Sequence, residues 1–248
     1  MLIHQEELNT ITSTLTTRYS YITAGFTTRE AGDCRQIEVI KRHLKANYIT
    51  PRKIVLLEQI HSSNVSKPDT THLGDIELLE DSDGVLTKEA GACLVIRVAD
   101  CVPILYFDPV RRVIGASHNG WRGTEKNLVG EMIQIMQQNG SKNENIHVLL
   151  GPAINACCYD IDLDRYAQFM ETMERFNKVA FRPHGEGFHM NLVRLNYELA
   201  LETGIYKRNI DYFPFCTSCD AKRFYSFRRQ YKTHPHEFGE MMGYIMLT

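Results

Sequence analysis

Cys93–Asn139 reads CLVIRVADCVPILYFDPVRRVIGASHNGWRGTEKNLVGEMIQIMQQN. Two short runs in it, Leu94–Val98 and Val102–Phe107, are apolar and rich in β-branched and aromatic residues, the pattern of buried strands. A third run, Val113–Ala116, leads into Ser117 and His118. Asn119-Gly120-Trp121-Arg122-Gly123 then forms a glycine-bounded loop, and a helix is expected to open at Thr124. Leu128, Val129, Met132, Ile133, Ile135 and Met136 give that helix its apolar stripe, and Gly140 ends it. Asp100, Cys101, His118 and Arg122 all fall where strands stop, the usual place for chemistry in α/β proteins, because a rigid scaffold aims the loops there.

Working outward, Tyr21–Phe26 reads as a strand and Ile37–Ala46 as a helix broken by Pro51; Ile54–Leu57 is again strand-like. Residues 1–20 suggest an edge strand and a loop, and residues 66–83 a polar, acidic loop. On the other side, Ile146–Leu150 and Ile210–Phe213 are expected strands, and Leu163–Phe176 and Leu192–Thr203 expected helices. Residues 177–189 look irregular, and the alternation of Tyr225 and Phe227 with polar neighbours predicts a half-buried strand. Strands and helices mix without a strict βαβ rhythm, so a mixed sheet in one domain spanning 1–248 is favoured over a doubly wound parallel sheet.

The composition narrows the partners. Basic residues number 28 and acidic residues 30, a net charge of −2, so no basic field invites nucleic acid. No apolar run reaches the ~18 residues a membrane span needs. The first ten residues lack the basic and apolar regions of a secretory leader, and seven cysteines in a chain of this size suggest free thiols in a reducing, cytoplasmic setting. The oligomeric state is not legible.

His61, Cys101 and His118 each follow a strand-like run, and two imidazoles with one thiolate suit zinc or copper. Their spacing fits no local finger motif, so two satisfied histidines and a buried thiol are the competing reading. Asp100 is a candidate acid or ligand-orienting group; it also suits a turn cap. Arg122, between two glycines, and Arg29, beside a glycine-containing turn, are candidate anion holders, with stacking of Arg122 on Trp121 as the alternative. Cys216-x-x-Cys219 offers half a zinc site, but Cys157-Cys158 is poorly spaced as the other half, and thiols packed in a loop are the simpler expectation. Arg223, Arg228, Arg229, Lys232, His234 and His236 make the tail locally basic, which fits a strand with an arginine or two reaching an anionic site.

ADCVPILYFDP followed by IGASHNGWRGT resembles the signature of the YfiH-type, laccase-domain purine nucleoside phosphorylases, once described as polyphenol oxidases. FTTREAG, EQIHSSNV, DSDGVLT, LLGPAINACCYDID and CTSCDAKRFYSFRR resemble further blocks of that family. The resemblance implies a four-layer α/β/β/α fold with mixed β-sheets. It implies a metal site of His61, Cys101 and His118, holding Zn²⁺ or, as also proposed, Cu²⁺. It further implies phosphorolysis of adenosine, inosine, guanosine or methylthioadenosine, and deamination of adenosine. Purine nucleosides and inorganic phosphate are then the expected partners. Asp100 is the expected proton donor, and Arg29, Arg122, Asn119 and Thr124 are the expected substrate and phosphate contacts. Asn119 departs from the family's usual alanine and Asn191 from its usual aspartate. Phe238-Gly239-Glu240 stands where a threonine-glycine-arginine motif is common, which weakens a phosphate site if that position contributes to one. The rival readings are a copper-dependent polyphenol oxidase, a metal-free Cys-His hydrolase with Cys101 as nucleophile, and a non-catalytic nucleoside-binding protein.

Overall fold

Alternate side chains of the Val102–Asp108 strand enter two different cores. Val102, Ile104 and Tyr106 pack under helices, while Leu105 and Phe107 point into a layer between two sheets. A strand buried on both faces has no room for polar alternation, which is why this run reads as continuously apolar. The computed structural model describes residues 2–69, 71, 74–231 and 238–248.

Seven strands form the first sheet, in the order Leu2–Gln5, Thr10–Ser13, Ile22–Thr27, Met241–Leu247, Ala92–Val98, Lys53–Leu57, Ile76–Leu79. Six form the second, in the order Ile210–Tyr212, His147–Leu150, Val102–Asp108, Val113–Asn119, Gly84–Thr87, Val65–Ser66. Both are mixed: Lys53–Leu57 runs parallel to its two neighbours, and His147–Leu150 runs parallel to Ile210–Tyr212, whereas the central pairs are antiparallel. The inner layer joins Phe26, Leu94, Ile96 and Ile245 of the first sheet to Leu105, Phe107, Ile114 and Leu149 of the second. The outer face of the first sheet is covered by helix Ile37–Ala46 through Val39, Ile40 and Leu44. The second is covered by helices Leu128–Gln138, Leu163–Met173 and Leu192–Glu202. The layers therefore stack α/β/β/α, as the resemblance implies.

Several local expectations are corrected. The helix does not open at Thr124. A short helix starts at Trp121, because Gly120 is extended and its carbonyl accepts from the Thr124 amide at 2.9 Å. Asn127 then turns left-handed (φ 57°), caps the Gly130 amide and starts a second helix at Leu128. The loop expected over 66–83 contains the strand Ile76–Leu79, held parallel to Lys53–Leu57, with Leu78 exposed and the buried Glu77 ion-paired to the equally buried Lys53 at 3.1 Å. Residues 177–189 hold a helical turn and a hairpin, Phe181–His184 with Gly187–Met190, where Tyr166 stacks on Phe188 at 3.6 Å. Phe227–Tyr231 is a helix, not a strand: the Ser226 hydroxyl accepts from the Arg229 amide at 3.2 Å and caps it. Lys232, His234 and His236 lie outside the described residues.

Candidate active site

Three strand ends meet at one point. Cys101 ends the turn that leads into Val102–Asp108, His118 is the penultimate residue of Val113–Asn119, and His61 follows Lys53–Leu57 after a short loop. Their donor atoms all lie within 4.8 Å of one another. Cys101 Sγ is 3.9 Å from His61 Nε2, and the two imidazoles meet edge to face with centroids 4.8 Å apart. Gly120 completes the corner. A Cβ there would sit 2.7 Å from His61 Cδ2 and 3.2 Å from Cys101 Sγ. His61 itself holds a left-handed backbone (φ 62°), as does Asp100 (φ 93°), strain of the kind that gathers at functional sites.

One carboxylate organises both histidines. Asp83 Oδ1 pairs with His118 Nδ1 at 2.8 Å and accepts from the His61 amide at 3.1 Å. Its Oδ2 accepts from the Ser62 amide at 2.5 Å and the Ser62 hydroxyl at 2.8 Å. Burial works against the Asp83 charge, but His118 and Ser62 outweigh it and hold the carboxyl below the ordinary range. With Nδ1 engaged, His118 keeps Nε2 for whatever faces Cys101. Burial likewise opposes a Cys101 thiolate, yet the His118 charge and hydrogen bonds from both imidazoles bring the thiol down. Burial opposes the His118 cation in turn, and Cys101 and Asp83 raise it. Without an ion, the two groups favour each other's charged forms. An ion would take the place of the His118 proton, and one thiolate with two neutral imidazoles fits a zinc- or copper-type ion, with three protein ligands leaving a position open.

His61, Asp100 and Cys101 line a cavity of about 240 Å³ together with Trp121, Tyr159, Phe227, Arg165 and Arg228. A roomier hollow of about 440 Å³ beside Lys67, Leu86 and Val113 carries none of the candidate reactive groups. Asp100 is buried under a separate segment: Thr217 donates to Oδ1 at 2.6 Å, and Ser226 and the Arg228 amide donate to Oδ2 at 2.9 and 2.7 Å. Burial outweighs these donors and pushes its carboxyl up.

The expected anion holders are placed elsewhere. Arg122 lies over the Trp121 ring, 4.3 Å from its centroid, and Arg29 donates to the Ala221 carbonyl at 2.7 Å and covers Tyr225. Asn119 and Thr124 are fully buried beneath the corner. Asn119 accepts from Ser117 and donates to Asn196, which in turn donates to Thr124 at 2.9 Å. Neither residue lines the cavity. Glu240 sits 4.0 Å from Arg97 and binds back to Asp33 through its amide. Sequence reading missed Asp83 as the shared anchor, and it missed Arg165, Tyr159 and Phe227. Arg165 lies 4.1 Å over Trp121, and its Nε is buried without a partner.

Residues 16–248 match the family model described as multi-copper polyphenol oxidoreductase laccase. The chain belongs to that family. Among laccase-family relatives, it is 31% identical over 199 residues to the purine nucleoside phosphorylase YlmD of Bacillus subtilis, covering 77% of this chain and 69% of the relative. It is 28% identical over 182 residues to the adenosine deaminase RL5 of an unknown prokaryotic organism, covering 71% and 70%. The crystal structure of YlmD from Geobacillus stearothermophilus superposes with a TM-score of 0.86 at 26% identity, over 98% of both chains. The laccase-family relatives therefore support a nucleoside-processing enzyme, and no described helix is long and apolar enough to cross a membrane.

Proposed function

We propose that the protein is a zinc-dependent purine nucleoside enzyme that cleaves purine nucleosides with phosphate and also deaminates adenosine. The observation that carries this reading is the His61–Cys101–His118 corner opening into a cavity with both aromatic and cationic walls. Tyr159 and Phe227 bring aromatic surface to the cavity wall for a purine, beside Trp121, over whose ring Arg122 and Arg165 lie. Arg165 and Arg228, which line the cavity, offer positive charge to phosphate.

A divalent ion held by His61, Cys101 and His118 would supply Lewis-acid polarisation at the open position. The remaining work falls to side chains. In phosphorolysis a phosphate oxygen bonds to the ribose C1′, the C1′–N9 bond breaks, and its electron pair leaves on the purine, which needs a proton. Asp100, whose raised pKa keeps it protonated more readily than an exposed aspartate, is the group we assign to protonating the leaving purine or departing ammonia. Tyr159, pushed up to about 12 by burial, stays a neutral donor in the same wall.

Purified protein with its metal content measured should convert inosine plus phosphate to hypoxanthine and ribose 1-phosphate, and adenosine to inosine. Chelation should abolish both reactions and Zn²⁺ restore them. Activity that survives chelation would mean a thiol hydrolase on Cys101, and no product from any purine nucleoside would mean a binding protein. Oxygen uptake with a phenol after copper loading would favour the oxidase.

A further inference from the structure

Two turns that sequence spacing keeps apart meet at one end of the six-stranded sheet. His147–Leu150 and Ile210–Tyr212 are parallel neighbours, pairing Val148 with Ile210 and Leu150 with Tyr212. Parallel strands leave a sheet at the same end, so the chain after Leu150 and the chain after Tyr212 emerge side by side. A further bridge, Ala153 with Cys216, carries the pairing past the strands, and the Thr217 amide donates to the Ala153 carbonyl at 3.0 Å. Cys157 and Cys158 follow on one turn, Cys216 and Cys219 on the other. This reverses the expectation of poor spacing, because the sheet supplies the proximity that the sequence lacks.

All four sulfurs lie within 4.8 Å of one another. Cys219 Sγ is 3.3 Å from Cys158 Sγ and 3.4 Å from Cys157 Sγ, so neither neighbour is its exclusive partner. A disulfide would draw one pair to ~2.05 Å and leave two thiols over. Four thiolates at ~2.3 Å around one tetrahedral zinc stand ~3.8 Å apart, a value between the 3.3 Å contact and the 4.8 Å limit that bounds all four sulfurs here. The surroundings suit an anionic cluster. The Asn155 amide donates to Cys216 Sγ at 3.3 Å. Arg229 donates to the Thr217 and Ser218 carbonyls at 2.8 and 2.9 Å, setting a guanidinium against the Cys216–Cys219 turn.

We propose that Cys157, Cys158, Cys216 and Cys219 form a second metal site, a closed tetrathiolate that takes one zinc ion. Its role is to position, and it does not depend on the nucleoside reading. The first turn carries Ile154 and Tyr159 into the cavity wall, and the second carries Thr217 to the Asp100 carboxylate. An ion there fastens both turns to each other, and so fixes the wall against which the His61–Cys101–His118 corner opens. Cys157 and Cys219 are exposed, so the ion exchanges with solvent and is open to chelators.

The test uses full-length Cys101→Ser, which removes the first site's thiolate and leaves the second cluster untouched. Under reducing, anaerobic conditions this variant should bind one equivalent of Co²⁺ with the intense sulfur-to-cobalt charge-transfer band and visible spectrum of a tetrahedral tetrathiolate. Adding Cys216→Ser and Cys219→Ser should remove that spectrum. On the unmutated protein, Zn²⁺ should slow alkylation of these four cysteines by on the order of tenfold or more, read peptide by peptide by mass spectrometry. That measurement needs no variant to fold. No tetrathiolate spectrum in Cys101→Ser, or alkylation of the four indifferent to Zn²⁺, overturns the proposal. So does a Cys157–Cys219 or Cys158–Cys219 disulfide in protein kept reduced. None of these outcomes bears on nucleoside cleavage, which is lost or kept through the first site.

Discussion

Asp83 concentrates more of the candidate site than any other side chain, because it holds His118 by the ring and His61 and Ser62 by their amides. Asp83→Asn keeps the size but loses the charge and one acceptor, and an amide nitrogen then faces a donor. Groups that orient a metal-ligating histidine typically cost 10–100-fold when removed. Zinc affinity of Asp83→Asn, measured by competition with a chromophoric chelator, should fall in that range while the thermal transition remains cooperative. Unchanged affinity would mean the carboxylate serves only the turn. The three candidate ligands each follow an apolar run, but their spacing fits no local motif, and only the family resemblance joined them into one site. Asp83 was visible too, but only as a turn: which histidine it faces depends on strand pairing that no local pattern encodes. For Arg122 and Arg29 the sequence left anion binding and ring stacking both open, and the structure lays their guanidinium groups over Trp121 and Tyr225.

At the scale of elements, the alternation along a strand assigns each residue to a layer. Met241–Leu247 places Ile245 in the inner layer and Met242, Tyr244 and Met246 on the face covered by helix Ile37–Ala46. Ile245 is wholly buried, so Ile245→Ala should cost about 2–5 kcal/mol by lost contacts and cavity formation. Leu78, 55% exposed on the edge strand, should cost no more than ~0.5 kcal/mol when changed to Ala. Urea denaturation of both variants checks the contrast, and equal losses would refute the layer assignment. Strands flanked by turn residues were legible, as was helix Ile37–Ala46 at its observed bounds. Several strands were not, and two of them show why. Met241–Leu247 has a glycine at its third position and no alternation, because both its faces are buried. Ile76–Leu79 is short and sits among acids, and only its parallel neighbour makes it a strand.

For the molecule as a whole, two histidines set an acid limit. Burial holds His43 down to about 4, against Tyr244 and within 3.2 Å of the Thr10 hydroxyl. Burial, with Arg18 adding repulsion, holds His147 down to about 4, stacked on Phe107 at 4.5 Å. The unfolded chain takes up these protons near pH 6.5, the folded one only near 4. Their contribution is therefore complete above ~6.5 and is lost as pH falls towards 4. Melting temperature should be flat from pH 8 to 7 and drop through pH 6 and 5, and His43→Gln should show a shallower drop. A melting temperature unchanged between pH 7 and 5 would contradict the burial of both rings. The four-layer architecture was accessible from sequence mainly by resemblance, since periodicity alone gives strands and helices without their order. That order has a price in assembly. Met241–Leu247 lies between Ile22–Thr27 and Ala92–Val98, pairing Gly243 with Phe26 and Ile96. Until this distant segment docks, two hydrophobic strands stand with open edges, and such edges recruit other chains. Refolding yield should thus be governed by crowding of half-made sheets, favouring dilute, cool conditions over rapid concentration.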